Sequence, residues 1–413
     1  MNFIKNNIKL KPLFLLDNRV DFLLFILVSI LILFSIVFSY SLSVYTVVYY
    51  DYNEFHFFIR QLLFGILSIF IMILLANIKS AKIVGNLGIF LFIFFLFIML
   101  IMPFLPSSLV TQSGGATRWI RLGILSLSPI EFFKLGFIYF LSWSFYRRVI
   151  DKPKKMLWKD EMLLILPYFV TFLLIVFIVA FMQKDFGQVV LMGLVLLILL
   201  IFANRSIKFF FSLIAISLFG FFILIISVPH RVQRIQSWWS MVQDSILSFM
   251  PDILANKLRV DTFPEPYQVS HSLNAIYNGS IFGEGIGEGF IKMGFLSDIH
   301  TDFILSGIIE ELGFLGFLFI IIIFFMIVWR IFSISARIKD PIYHLFTLGI
   351  GLMFIISFII NSYGITGIMP IKGIAVPFLS YGGSALISSC IAIGLVLSIS
   401  KDIKNDYDDE VIK

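Results

Sequence analysis

Asp302 stands in the run His300-Thr301-Asp302-Phe303, where a polar stretch gives way to a long apolar one. A carboxylate at such a water boundary can take a proton from an attacking hydroxyl, help worth roughly 10²–10⁴-fold in rate. The same position suits a helix N-cap, because helix N-termini favour ionised carboxylates. Both readings stand on position alone. Glu310 and Glu311 follow about 12–14 Å further along a helix, at 1.5 Å per residue. Adjacent side chains on a helix diverge, so the two cannot share one partner. In an apolar setting at least one must be protonated or paired with a cation from another span, and helix-packing contacts are the plain alternative to chemistry. Glu131 and Lys134 are three apart and share a helix face, as an internal ion pair or as part of a site. The glycines Gly279, Gly283, Gly285, Gly287 and Gly289 lack the following lysine and hydroxyl residue of a phosphate loop. This excludes a nucleotide fold and leaves a loop that approaches a lipid headgroup. His271 and His300 are too few and too far apart for a metal site, and the single Cys390 permits neither a disulfide nor a cysteine metal site.

The elements that must position these groups lie in lipid. Of 413 residues, 60% are hydrophobic, 14% are charged and 50 are phenylalanine, far too apolar for a water-covered surface. Spans need about 20 apolar residues, and ten segments qualify: 21–45, 57–76, 84–103, 130–146, 162–182, 187–203, 208–228, 303–329, 343–363 and 375–399. The expected fold is therefore an all-α polytopic membrane protein, one membrane domain over 1–413. The net charge of +6 reflects orientation rather than nucleic-acid binding, since no soluble segment interleaves basic and aromatic residues. Most of the 31 basic residues fall in the N-terminal tail, in alternate connections (Lys79 and Lys82; Arg147 to Lys159; Arg205 and Lys208; Arg330 to Lys339) and in the tail 401–413. The positive-inside rule places both termini in the cytoplasm. The long connection 229–302 then lies outside, with an interfacial helix expected over Arg231–Met250 around Trp238 and Trp239. The chemistry is expected on that side.

Several runs together resemble the SEDS family of FtsW, RodA and SpoVE peptidoglycan polymerases. They are Gly115-Ala-Thr-Arg-Trp119, Pro129-Ile-Glu-Phe-Phe-Lys134, Gln183-Lys-Asp-Phe-Gly187, Tyr267-Gln-Val-Ser-His-Ser-Leu273, Phe282-Gly-Glu-Gly-Ile-Gly287, His300-Thr-Asp-Phe303, Glu310-Glu-Leu-Gly313 and Pro377-Phe-Leu-Ser-Tyr-Gly-Gly-Ser384. They occur in the family's order over most of the chain, and Pro370-Ile-Lys-Gly373 resembles the division branch. Ile130 and Lys184 depart from the family's serine and proline, and the outer loop is long at 241–262.

The resemblance implies a glycosyltransferase in the bacterial cytoplasmic membrane that polymerises lipid II and releases undecaprenyl pyrophosphate. Asp302 matches the family's essential aspartate. Arg60, Arg118, Arg121, Lys134 and Lys372 are outer-side candidates for the pyrophosphate. Glu131, Asp185, His300, Thr301, Glu310, Glu311, Ser380 and Ser384 are supporting residues. The resemblance fixes no cofactor, and a divalent cation would suit the leaving group. The implied partners are a monofunctional class B penicillin-binding transpeptidase and division-machinery membrane proteins. An elongation-type polymerase, a flippase for the lipid-linked precursor and a docking scaffold remain alternatives.

Overall fold

The computed structural model describes residues 16–17, 19–78, 81–113, 116–123, 125–150, 152, 157–203, 228–260, 267–296, 299–370 and 373–411, with scattered positions between 211 and 226. Nine of the ten predicted spans are helical among these residues. The seventh, 208–228, lies largely outside them. In chain order come α1 (Phe22–Ser41), the short α2 (Val44–Tyr49), α3 (His56–Asn77), α4 (Ala81–Ile101), α5 (Pro129–Phe145), α6 (Trp158–Val176) and α7 (Phe186–Phe202). The long connection 229–302 folds into α8 (Pro229–Leu247), α9 (Asp252–Leu258) and α10 (Tyr267–Gly279). Last come α11 (Ile304–Arg337), α12 (Pro341–Ile365) and α13 (Gly383–Val411), which continues as a helix through most of the predicted tail. Seven helices among the described residues are long and apolar enough to cross a membrane. The chain is a multi-pass membrane protein. Among the shorter helices, α7 is apolar, and α5 gains length from a π turn, Tyr146–Ile150.

The helices differ in what surrounds them. In α12, 83% of the most apolar window is buried inside the protein, against 22% in α3. The apolar pattern therefore faces neighbouring helices in α12 and lipid in α3, which composition alone does not distinguish. Nearly all of α5 is buried too. It crosses α4 at Gly136, where an added Cβ would strike the backbone of Leu91 and Phe92, the close approach that small residues permit between membrane helices. Phe92 then stacks on Phe140 with ring centroids 4.5 Å apart.

At one end of the bundle, Arg330 Nε donates to Asp21 Oδ2 at 2.7 Å, while Asp21 Oδ1 caps α1 at Leu24 N. Lys401 Nζ and Ser398 Oγ both donate to the Ile78 carbonyl that ends α3. The ends of four spans that the basic residues assign to one side thus meet there. At the other end a feature missing from the predicted inventory appears: a three-stranded antiparallel sheet, β1 (Val110–Ser113), β2 (Ala116–Leu122) and β3 (Leu125–Leu127). Its register sets Val110 against Ile120 and Arg121 against Ser126. The predicted interfacial helix is α8. Trp238 Nε1 donates to the Gly367 carbonyl at 2.8 Å, tying α8 to the end of α12.

If the basic residues report orientation, a reporter inserted after Lys152 will read as cytoplasmic and one after Lys257 as extracytoplasmic. A reversed signal at either point would invalidate the placement of the site.

Candidate functional site

The site is organised by a break in α11. Gly313 has φ 69° and ψ −176°, values that glycine alone adopts without strain. An intact helix would bond Phe314 N to the Glu310 carbonyl and Leu315 N to the Glu311 carbonyl. Here Phe314 N donates to Ser280 O at 3.0 Å and Leu315 N to Ile281 O at 3.1 Å. The two released carbonyls accept from Glu284 N at 2.9 Å and Gly285 N at 3.0 Å. The glycine-rich loop is therefore threaded into the helix. A Cβ at Gly279 would strike the Ile309 carbonyl, and one at Gly283, where φ is +81°, the Glu311 carbonyl. These glycines serve backbone approach within the protein rather than approach to a lipid headgroup.

The break also relocates Glu310 and Glu311. Seventeen residues separate Gly313 from Arg330, about 26 Å of helix, close to the roughly 30 Å of the hydrocarbon layer. Both carboxylates precede the break and lie outside that stretch of α11. Glu310 Oε1 accepts from Phe290 N and Ile291 N, both at 3.0 Å, and from Asn278 Nδ2 at 3.3 Å. Glu311 Oε1 accepts from Lys292 Nζ at 2.6 Å and from Ser41 Oγ at 2.5 Å. The partner cation comes from the short 3₁₀ turn Ile291–Met293 of the outer loop, not from another span. Lys292, fully buried, is the residue the sequence reading missed. Its only signal was an isolated lysine in an apolar stretch after the glycines.

Asp302 sits two residues before α11, partly buried. The N-cap of α11 is Phe303, with no side-chain hydrogen bond. The backbone around Asp302 is held from three directions. Asn361 Nδ2 of α12 donates to the Asp302 carbonyl at 2.7 Å and to the Ile374 carbonyl at 2.9 Å. Ser380 Oγ donates to the Thr301 carbonyl at 2.8 Å while accepting from Val376 N. Tyr381 N donates to the His300 carbonyl at 3.0 Å. Gly373 approaches so closely that a Cβ there would lie 2.8 Å from Asp302 Oδ2. His300 packs against Phe57 and Tyr381 with its Nδ1 unpartnered, and burial lowers its pKa to about 4. Arg60 bonds Tyr381 and lies 3.3 Å from His56 Nε2, which places it beside the same segment.

A second group lies at the outer end of α5. Lys134 Nζ meets Glu131 Oε2 at 2.9 Å, and Gln188 Nε2 donates to the other oxygen of Glu131. Asp185 precedes α7, with Arg118 Nε 3.7 Å from Oδ2. Burial raises the Asp185 pKa, and Arg118 opposes the shift. Arg118 is on β2, three residues from Arg121, and odd spacings along a strand face opposite sides. Arg121 accordingly bonds Thr111 across the sheet and does not join the group. Ser384 Oγ accepts from Ser128 N at 2.9 Å, joining the start of α5 to the start of α13. Lys372 lies outside the described residues. Among the described residues no three His, Cys, Asp or Glu side chains form a metal-ligand set.

The family model of the cell cycle proteins FtsW, RodA and SpoVE matches residues 21–405. The chain belongs to the FtsW/RodA/SpoVE family. It is 47% identical over 383 residues to the probable peptidoglycan glycosyltransferase FtsW of Helicobacter pylori strain 26695, covering 92% of this chain and 98% of that protein. It is 34% identical over 311 residues to the protein of the same name from Trichlorobacter lovleyi, covering 74% of each. Two solved structures share the fold. One, with a TM-score of 0.67 and 21% identity, comes from work on the coordination of polymerization and crosslinking by a peptidoglycan synthase complex, and covers 93% of this chain and 98% of that one. The other is the rod shape determining protein RodA of Thermus thermophilus, with a TM-score of 0.60 and 20% identity, covering 93% and 97%.

Two measurements test the site's construction. Lys292→Met or Glu311→Gln alone leaves a buried group without its partner, and each is expected to cost about 3–5 kcal/mol. The double variant should recover most of that loss in thermal unfolding of the purified protein; a double variant as unstable as the worse single one would show that the pair does not act as a unit. His300 is held neutral by burial, so the folded state binds fewer protons than the unfolded one between the ordinary histidine value and about 4. Stability should fall as pH drops through that window, and His300→Asn should flatten the fall. An unchanged acid limb would assign it to other groups.

Proposed function

We propose that the chain is a peptidoglycan glycosyltransferase that polymerises lipid II at the outer surface of the cytoplasmic membrane, in septal wall synthesis. The observation that carries this reading is the setting of Asp302: a partly buried carboxylate at the start of α11, whose backbone is clamped by Asn361, Ser380 and Tyr381. A substrate with its polyprenyl tail in lipid and its sugars in water must react at such a boundary. The names of the curated relatives support the same activity.

In the proposed reaction the acceptor sugar hydroxyl attacks the anomeric carbon of the donor. The new C–O bond forms as the bond from that carbon to the pyrophosphate oxygen breaks. The proton passes to the Asp302 carboxylate and the electron pair leaves on the pyrophosphate. One displacement inverts the anomeric centre, following the logic of inverting sugar chemistry with a sugar hydroxyl in place of water. The pyrophosphate charge calls for preorganised cations. Arg118 and Lys134 in the group beside Asp185, and Arg60 beside His300, are proposed for that role, with Lys372 on the sequence argument alone. Arg121 is the weakest candidate, because it is engaged across the sheet. A monofunctional class B penicillin-binding transpeptidase is the proposed partner, supported by the subject of the synthase-complex structure, the coordination of polymerization and crosslinking.

Asp302→Asn tests the reading. Asparagine is nearly isosteric and leaves the backbone clamps intact, but it cannot take the proton. Purified Asp302→Asn supplied with labelled lipid II is expected to fold normally and to make no polymer. Asp302→Glu should recover little, since displacement by about 1 Å can cost about 10²-fold. A folded Asn variant polymerising near the wild-type rate would remove Asp302 from the mechanism. Transbilayer movement of lipid II without polymer, by the unmodified protein, would replace the whole reading with that of a flippase.

A further inference from the structure

A cavity of about 190 Å³ opens between α5 and α6, at the far end of α5 from Glu131 and Lys134. Its floor is hydroxylic. Buried Ser144 Oγ lies 2.9 Å from Tyr168 Oη, and Tyr168 Oη also reaches the Ser144 carbonyl at 3.1 Å. Arg147 and Arg148 line it from the π turn that follows α5, a local distortion often found at functional positions. The Arg147 guanidinium lies 4.8 Å over the Trp143 ring, which orients it by cation–π attraction. Both arginines are exposed, and neither has an ion-pair partner among the described residues. On the α6 side Thr171 and Pro167 complete the lining, and the proline removes one donor from the helix ladder.

Arg147 is eighteen residues beyond Pro129, about 27 Å along the helix, near the opposite boundary of the hydrocarbon layer. Leu166 and Val170 on α6 expose 48% and 56% of their surface, as side chains in contact with acyl chains would. Positive-inside bias calls for charge on this side, but not for unpaired guanidiniums over a hydroxyl-floored cavity. Basic pockets between helices on the cytoplasmic side suit anionic lipid headgroups. We infer that this cavity seats the phosphodiester headgroup of an anionic phospholipid of the cytoplasmic leaflet. The two guanidiniums hold the phosphate oxygens, and the acyl chains run along Leu166 and Val170. This is independent of the polymerase reading.

Native mass spectrometry of the full-length protein in detergent tests the inference, with phosphatidylglycerol, cardiolipin and phosphatidylcholine as probes. The anionic lipids should be retained over phosphatidylcholine. At roughly one arginine's contribution each, Arg147→Gln or Arg148→Gln should weaken retention about fivefold, and the double variant about thirtyfold. Thr171→Phe, which fills the cavity without altering charge, should abolish retention, while Arg337→Gln on the same side should leave it unchanged. Equal loss in Arg337→Gln would reduce the effect to general surface charge and overturn the site. So would full retention by folded Thr171→Phe. Displacement of the lipid by millimolar inorganic phosphate would identify a soluble-anion site and overturn the lipid assignment.

Discussion

The exchange of backbone hydrogen bonds at Gly313 is the constraint on which the outer half of the molecule depends. A membrane helix cannot leave amides and carbonyls unpaired where water is scarce. Once Gly313 turns away from helical geometry, two carbonyls and two amides on either side need new partners. The glycine loop supplies all four. An irregular outer connection is thereby anchored to a spanning helix by main-chain bonds, which leaves its side chains free for other work. The requirement for glycine at Gly279, Gly283 and Gly313 follows from the same contact, since each position lies against backbone.

The buried charges around this joint are consistent with it. Glu310 receives the amides of Phe290 and Ile291, and Glu311 receives Lys292 and Ser41. Replacing such a pair with apolar residues of similar volume is often neutral or stabilising, so the pair contributes geometry more than net stability. It joins the outer loop to the end of α1 and holds the helix segment that begins just after Asp302. The clamps on His300, Thr301 and Asp302 come from α12 and from the approach to α13. Asp302 therefore sits where three separate parts of the chain meet, which is what a precisely placed carboxylate requires.

The Glu131–Lys134 pair was legible as a pair because helix periodicity puts residues three apart on one face. Its connection to Asp185 and Arg118 was not legible, because it needs β2 to deliver Arg118 across the outer surface. The sheet escaped notice because its strands are short and its alternation is brief, against an apolar background that reads as helix throughout. Arg121 shows the cost of reading motifs without register: nearby in sequence to Arg118, it faces the other way. Lys292 escaped because nothing local distinguishes a lysine that will be buried from one that will be solvated.

From the sequence by itself came the membrane setting, the approximate spans, the long connection at 229–302 and the family. These rest on composition and on helix period, both local along the chain. The tertiary structure alone decided which helices face protein rather than lipid, and where α11 breaks. It also decided that Gly279 and Gly283 lie against the backbone of α11, and which cation answers Glu311. Those outcomes depend on main-chain bonds and close approaches between residues distant in sequence, and such pairings leave no trace in the local pattern of either partner.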